Sequence, residues 1–109
     1  MLDVLSVILG SYREAIAEAL GDKLSRIVLF GSYARGDFNQ NSDMDLMILA
    51  DAHPEEISYY ADLVYDITYD FEEKYGMEIN PCVQSIYTFE HWKKTYPFFM
   101  NVEKDGVNI

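Results

Sequence analysis

Two aspartates and a glycine–serine pair define the chemistry open to this chain. Asp43 and Asp45 stand two residues apart. In a β-strand such residues point the same way, roughly 6–7 Å apart along the chain, so the pair presents two carboxylates on one face. In a cleft they repel each other and call for a cation. Oxygen donors with open positions for water and phosphate suit Mg²⁺, with Mn²⁺ as its substitute. Two such ions, about 3.5–4 Å apart, clamp the attacking and leaving oxygens of a phosphoryl displacement. Gly31 and Ser32 supply the other half. Glycine lets backbone come close to a ligand. Ser32, read as the N-cap of a helical turn over Tyr33 to Gly36, offers a hydroxyl and leaves amide N–H groups for a phosphate. Arg35 adds a charge-assisted contact one turn later.

These residues need elements to hold them. Arg26 to Phe30 is a short apolar run ending in Gly31-Ser32, and reads as a buried strand entering a tight turn. Asp37 to Ser42 has turn composition. From Asp43 to Ala50 apolar and other residues alternate, which predicts a strand whose acidic end faces away from the core. Upstream, Asp3 caps a first helix marked by Leu5, Ile8, Leu9, Tyr12, Ile16 and Leu20 and stopped by Gly21. Downstream, Pro54 opens a second long helix, with Ile57, Ala61, Val64, Ile67 and Phe71 on its buried face and Gly76 at its end. Met77 to Ser85 predicts a third strand. Thr88 caps a third long helix, with Tyr87 and Trp92 placed as a hydrophobic staple. Pro97 opens a last helical turn that Gly106 closes. The order α-β-(short α)-β-α-β-α predicts an α/β (α+β) fold: a small mixed sheet with helices packed against it.

The 109 residues, half of them hydrophobic, suffice for one domain over residues 1–109 and one core. A single cysteine, Cys82, excludes an internal disulfide framework and a cysteine-based zinc cluster. No apolar run approaches the roughly 20 residues of a membrane helix, and no signal-peptide pattern opens the chain. The expected setting is cytoplasmic. With 8 basic and 19 acidic residues the net charge is −11, a poor match for a long nucleic acid, whose phosphates need Lys and Arg. His53 and His91 lack metal-ligand spacing and read as surface or helix-start residues. Cys82 reads as core. Tyr59, Tyr60, Tyr65 and Tyr69 read as core edge and surface, with a partner interface as the alternative.

The run Phe30-Gly31-Ser32-Tyr33-Ala34-Arg35-Gly36, followed by Ser42-Asp43-Met44-Asp45-Leu46, resembles the signature of the DNA polymerase beta-like nucleotidyltransferases. It is similar to the minimal prokaryotic branch (MNT) found in HEPN/MNT toxin–antitoxin pairs, and to the core of aminoglycoside nucleotidyltransferases. The resemblance is strong over Ile27 to Ile48 and loose elsewhere. It implies the polymerase beta-like fold, Gly31 and Ser32 as triphosphate contacts, and Asp43 and Asp45 as metal ligands. It also implies Mg²⁺ (or Mn²⁺) as cofactor and ATP as substrate. A third carboxylate is expected on the next strand. Asn80 falls in that place, and an amide cannot serve as a base; Glu78, two residues away, takes the place if the register shifts. The implied function is transfer of AMP to a hydroxyl acceptor, with a HEPN-domain protein as partner and this chain as antitoxin. Two readings stand beside it: a catalytically weak antitoxin that acts by binding, and a small-molecule nucleotidyltransferase of the aminoglycoside type.

Overall fold

The computed structural model describes residues 2–109, with side chains from residue 4 onward. The cap expected of Asp3 rests on a side chain outside those described. Helix α1 (Leu2–Leu20) sets Leu5, Leu9, Tyr12, Ile16 and Leu20 against the sheet, as its helical spacing predicts. Strand β1 (Leu24–Phe30) runs into a short helix, α2 (Gly31–Arg35). Strand β2 (Met44–Ala50) and a single 3₁₀ turn at Pro54–Glu56 lead to α3 (Ile57–Tyr75). Pro54 therefore opens the 3₁₀ turn, and the long helix starts at Ile57. Strand β3 (Ile79–Ser85) is followed by α4 (Ile86–Trp92), α5 (Pro97–Asp105) and β4 (Val107–Asn108).

The sheet order is β3-β2-β1-β4. Strands β2 and β3 are parallel, while β1 is antiparallel to both β2 and β4. The central strand β2 is buried on both faces, which corrects the expectation of a half-exposed strand. Met44, Leu46, Ile48 and Ala50 join the core under α1 and α3. Met47 and Leu49 join a second core with Phe89 of α4 and Phe99 and Val102 of α5. Burying an aliphatic or aromatic side chain contributes about 1.5–3 kcal/mol, so both layers hold β2 in place. Cys82 packs against the second core, as its apolar setting predicts.

The C-terminal third departs most from expectation. Ser85, not Thr88, caps α4: its Oγ accepts from the Tyr87 N–H at 3.2 Å. Thr88 lies inside a helix of only seven residues. Tyr87 does not staple to Trp92; its hydroxyl donates to Asp51 and its ring stacks on His53 at 5.3 Å. Tyr96 is extended (φ −85, ψ 117), as a residue preceding proline prefers, and this separates α4 from α5. The expected single turn after Pro97 is a nine-residue helix. Beyond it, β4 pairs Val107 with Leu29 and Asn108 with Val28. A Cβ at Gly106 would overlap the Val102 carbonyl oxygen and Val28 Cγ1, so only glycine lets the chain pass from α5 onto β1.

Edge strand β3 begins two residues later than expected. Its first amide, at Ile79, donates to Glu72 Oε2 at 3.0 Å. Pro81, two residues on, has no N–H to donate.

Candidate active site

The central strands bring the chemistry-bearing residues to one end of the sheet. Phe30, the last residue of β1, pairs with Asp45 of β2, and Asp45 pairs with Asn80 of β3. Gly31 follows Phe30 with φ +72, a left-handed conformation that glycine adopts without steric cost. A Cβ there would overlap Asp45 Oδ2. Gly31 therefore sets its bare backbone directly against the Asp45 carboxylate.

Helix α2 starts at Gly31, so Phe30, not Ser32, holds the cap position, and no side chain caps it. This corrects the N-cap reading of Ser32: its hydroxyl is not spent on capping. Gly31, Ser32, Arg35 and Asp45 line a cavity of about 360 Å³ whose opposite wall is Phe98, Asn101 and Asp105 of α5. Arg35 reaches from the end of α2 and pairs with Asp37 through Nε–Oδ2 at 3.3 Å. That pair is exposed on both sides, so the Arg35 charge stays available to an anion.

Asp43 stands just before β2 and is exposed. It lines a second hollow of about 250 Å³ with Tyr33, Ser42 and Glu78. Asp43 and Asp45 thus front two neighbouring hollows, where strand alternation alone puts them on one face. The loop before Asp43 is tied by its own hydrogen bonds: the Asn39 N–H donates to Ser42 Oγ at 3.0 Å, and the Asn41 N–H to Asn39 Oδ1 at 2.8 Å. A stack of Tyr33 on Phe38 (4.2 Å, 8°) fastens it to α2.

Each aspartate has a neighbour from the β3 end. Asn80 Nδ2 donates to Asp45 Oδ1 at 2.9 Å, so the register sets an amide beside Asp45. Glu78 lies against Asp43. A hydrogen bond to Asp43, reinforced by the charge of that carboxylate, holds the Glu78 carboxyl above the ordinary carboxylate range. Both candidates for the third acidic position are therefore at the site: Asn80 with Asp45, and Glu78 with Asp43. Among the described residues no three His, Cys, Asp or Glu side chains converge as a complete metal cage. Mg²⁺ needs none, because it keeps several waters and is held by one or two carboxylates together with substrate phosphates. The carboxylate oxygens of Asp43 and Asp45, beside a glycine backbone open to phosphate, are the kind of donor that Mg²⁺ or Mn²⁺ takes. His53 stacks on Tyr87 and His91 meets Trp92 edge-on, and neither lines the site.

The sequence reading missed the α5 wall. Its signal was the spacing of Phe98, Asn101 and Asp105, which places them on one helix face. None of the described helices is long and apolar enough to cross a membrane.

Comparison with known proteins extends the picture. The profile of the nucleotidyltransferase domain matches residues 7–104. Two proteins of Methanocaldococcus jannaschii, each named "Putative protein adenylyltransferase", are similar to this chain. One is 34% identical over 104 residues, covering 94% of this chain and 95% of its own length. The other is 37% identical over 84 residues, covering 77% and 76%. A crystal structure of a toxin–antitoxin with AMP-PNP shares the fold, with a TM-score of 0.56 at 17% identity over 90% of this chain and 69% of the other.

Proposed function

The chain belongs to the nucleotidyltransferase domain family and is an enzyme of that class, and from this premise we propose that it transfers AMP from ATP to a hydroxyl on a partner protein. The observation that carries the proposal is the fit of Gly31 to Asp45: a Cβ at Gly31 would overlap Asp45 Oδ2, so the backbone read as approaching phosphate lies beside the carboxylate read as a metal ligand. In this reading Gly31 and Ser32 hold the triphosphate, Arg35 adds positive charge, and Asp43 and Asp45 are the protein ligands of Mg²⁺. When bound, the metal neutralises phosphate charge and favours displacement at phosphorus. The acceptor oxygen bonds to the α-phosphorus, the bond to the bridging oxygen breaks, and pyrophosphate leaves. The acceptor proton goes to a carboxylate. Asn80 cannot take it, which leaves Glu78 as the receiving group once it is ionised.

The partner is proposed from the resemblance and from the toxin–antitoxin neighbour: a HEPN-domain protein carrying the acceptor hydroxyl, with this chain as antitoxin. The acidic net charge suits a more basic protein partner and disfavours a nucleic-acid acceptor. One observation favours a second reading, a slow enzyme that neutralises its partner mainly by binding: the Asn80 amide bonded to Asp45 occupies a place where a carboxylate is expected to act. The test is co-expression with the HEPN protein and labelled ATP. Transfer of AMP to the partner, lost in the double variant Asp43→Asn/Asp45→Asn, supports the proposal. Transfer undiminished in that variant refutes the assignment of the site.

A further inference from the structure

The Gly31–Ser32 backbone accounts for only one wall of the 360 Å³ cavity. The facing wall is α5, and nothing in the phosphate chemistry explains its residues. We propose that α5 binds the nucleoside: Phe98 stacks on the base, Asn101 selects adenine, and Asp105 accepts from a ribose hydroxyl. This rests on the nucleotidyltransferase reading and adds a specificity device to it.

Phe98, Asn101 and Asp105 lie at i, i+3 and i+7, one face of the helix. Val102 on the same stripe is buried in the second core and anchors that face toward the cavity. Phe98 is 38% exposed despite its size. Its ring is held edge-on by Phe30 at 5.6 Å (77°) and contacts Phe99 at 5.8 Å, which fixes its orientation without covering it. Phe30 immediately precedes Gly31, so the aromatic platform adjoins the phosphate cradle. An aromatic face of this kind stacks any base. Discrimination falls to Asn101, whose amide offers one donor and one acceptor. Adenine presents N7 as acceptor and N6 as donor, whereas guanine presents two acceptors, N7 and O6. The amide satisfies the first pattern and leaves the second half-met. Asp105 supplies a carboxylate, which accepts from ribose hydroxyls as acidic residues do in dinucleotide sites. The volume is within the range of small-ligand pockets, about 300–1,000 Å³.

The experiment is calorimetry in Mg²⁺ with ATP, GTP and inorganic tripolyphosphate, on the wild type and on Phe98→Ala, Phe98→Tyr and Asn101→Ala. Circular dichroism melts check each variant's fold. ATP should bind the wild type more tightly than GTP. Phe98→Ala should weaken ATP by about tenfold and leave tripolyphosphate unchanged, while Phe98→Tyr keeps wild-type affinity. Asn101→Ala should erase about tenfold of ATP-over-GTP preference. ATP binding that is unaltered in folded Phe98→Ala and Asn101→Ala overturns this inference alone. Failure of the wild type to bind either ATP or tripolyphosphate overturns the phosphate cradle and the nucleoside wall together.

Discussion

Replacing Asn80 with aspartate tests the site at its most informative contact. In the wild type the Asn80 amide donates to Asp45 at 2.9 Å. Asn80→Asp removes that bond and sets a second carboxylate in its place. A hydrogen bond to a charged group contributes about 1.5–3 kcal/mol. Asn80 is exposed, so the lower end applies. Two like charges about 4 Å apart repel by about 1 kcal/mol in a water-like medium. The metal-free variant should therefore lose about 2–3 kcal/mol. For a domain of this size each kcal/mol moves the melting temperature by about 4–8 °C, giving a fall of roughly 10–20 °C in EDTA. A divalent cation between the carboxylates reverses the repulsion. At 100 times its Kd it returns about 2.7 kcal/mol. Thermal-shift titrations with Mg²⁺ in the presence of ATP should thus show a larger metal-dependent rise in Asn80→Asp than in the wild type. In the slow-enzyme reading, where Glu78 does not act and the wild type lacks a positioned base, transfer of AMP to the partner should rise by about 10²–10⁴, the usual contribution of such a base. If the variant melts like the wild type in EDTA and gains nothing extra from Mg²⁺, position 80 does not face a metal-binding Asp45. If AMP transfer is already fast in the wild type and is lost in Glu78→Gln, the base is Glu78.

Three further outcomes are expected. Gly31→Ala puts a methyl group into the Asp45 carboxylate from a left-handed backbone; calorimetry should show a loss of ATP affinity, with about 1–2 kcal/mol of stability lost for the backbone strain alone. Burial pushes the Tyr12 hydroxyl up to about 12 from 10.0. The stability it contributes is complete below pH 10 and falls, by about 1.4 kcal/mol per unit, as the pH rises from 10 to 12 and only the unfolded chain ionises there; urea melts of the wild type and Tyr12→Phe should converge across that window. Phe89→Ala empties the centre of the second core, where Phe89 is fully buried, and should cost about 3–5 kcal/mol in denaturant melts.

How legible the molecule was depended on how local each signal is. Tyr12 and Ile16 of α1, and Val64 and Phe71 of α3, declare their buried faces because a helix repeats every 3.6 residues over five turns. Gly31-Ser32 and Asp43-x-Asp45 declare a site because their chemistry is specific at short spacing. Met47 reads from alternation as lying on the face of Asp43 and Asp45, because the layer that covers it, Phe89 of α4 with Phe99 and Val102 of α5, comes from a distant part of the chain. The break between those helices depends on Pro97 acting back on Tyr96, and Ser85 outcompeted Thr88 as the cap because it already ended a strand in extended conformation. Strand β4 is two residues long, too short for any periodicity. The α5 wall was hidden for the same reason as the second core: only the tertiary fold carries Phe98 and Asn101 back to Gly31.

The two rims of the sheet govern how this molecule meets other chains. On one rim the Ile79 amide is already bonded to Glu72 and Pro81 has none, so an incoming strand meets an interrupted row of donors. On the other rim β4 offers only two residues. Neither rim is a good template for strand addition. Recognition must therefore run through side chains on helices and loops, and crowded copies have little means of zipping together edge to edge. The chain thereby gains protection from edge-to-edge aggregation without adding a covering element to its sheet.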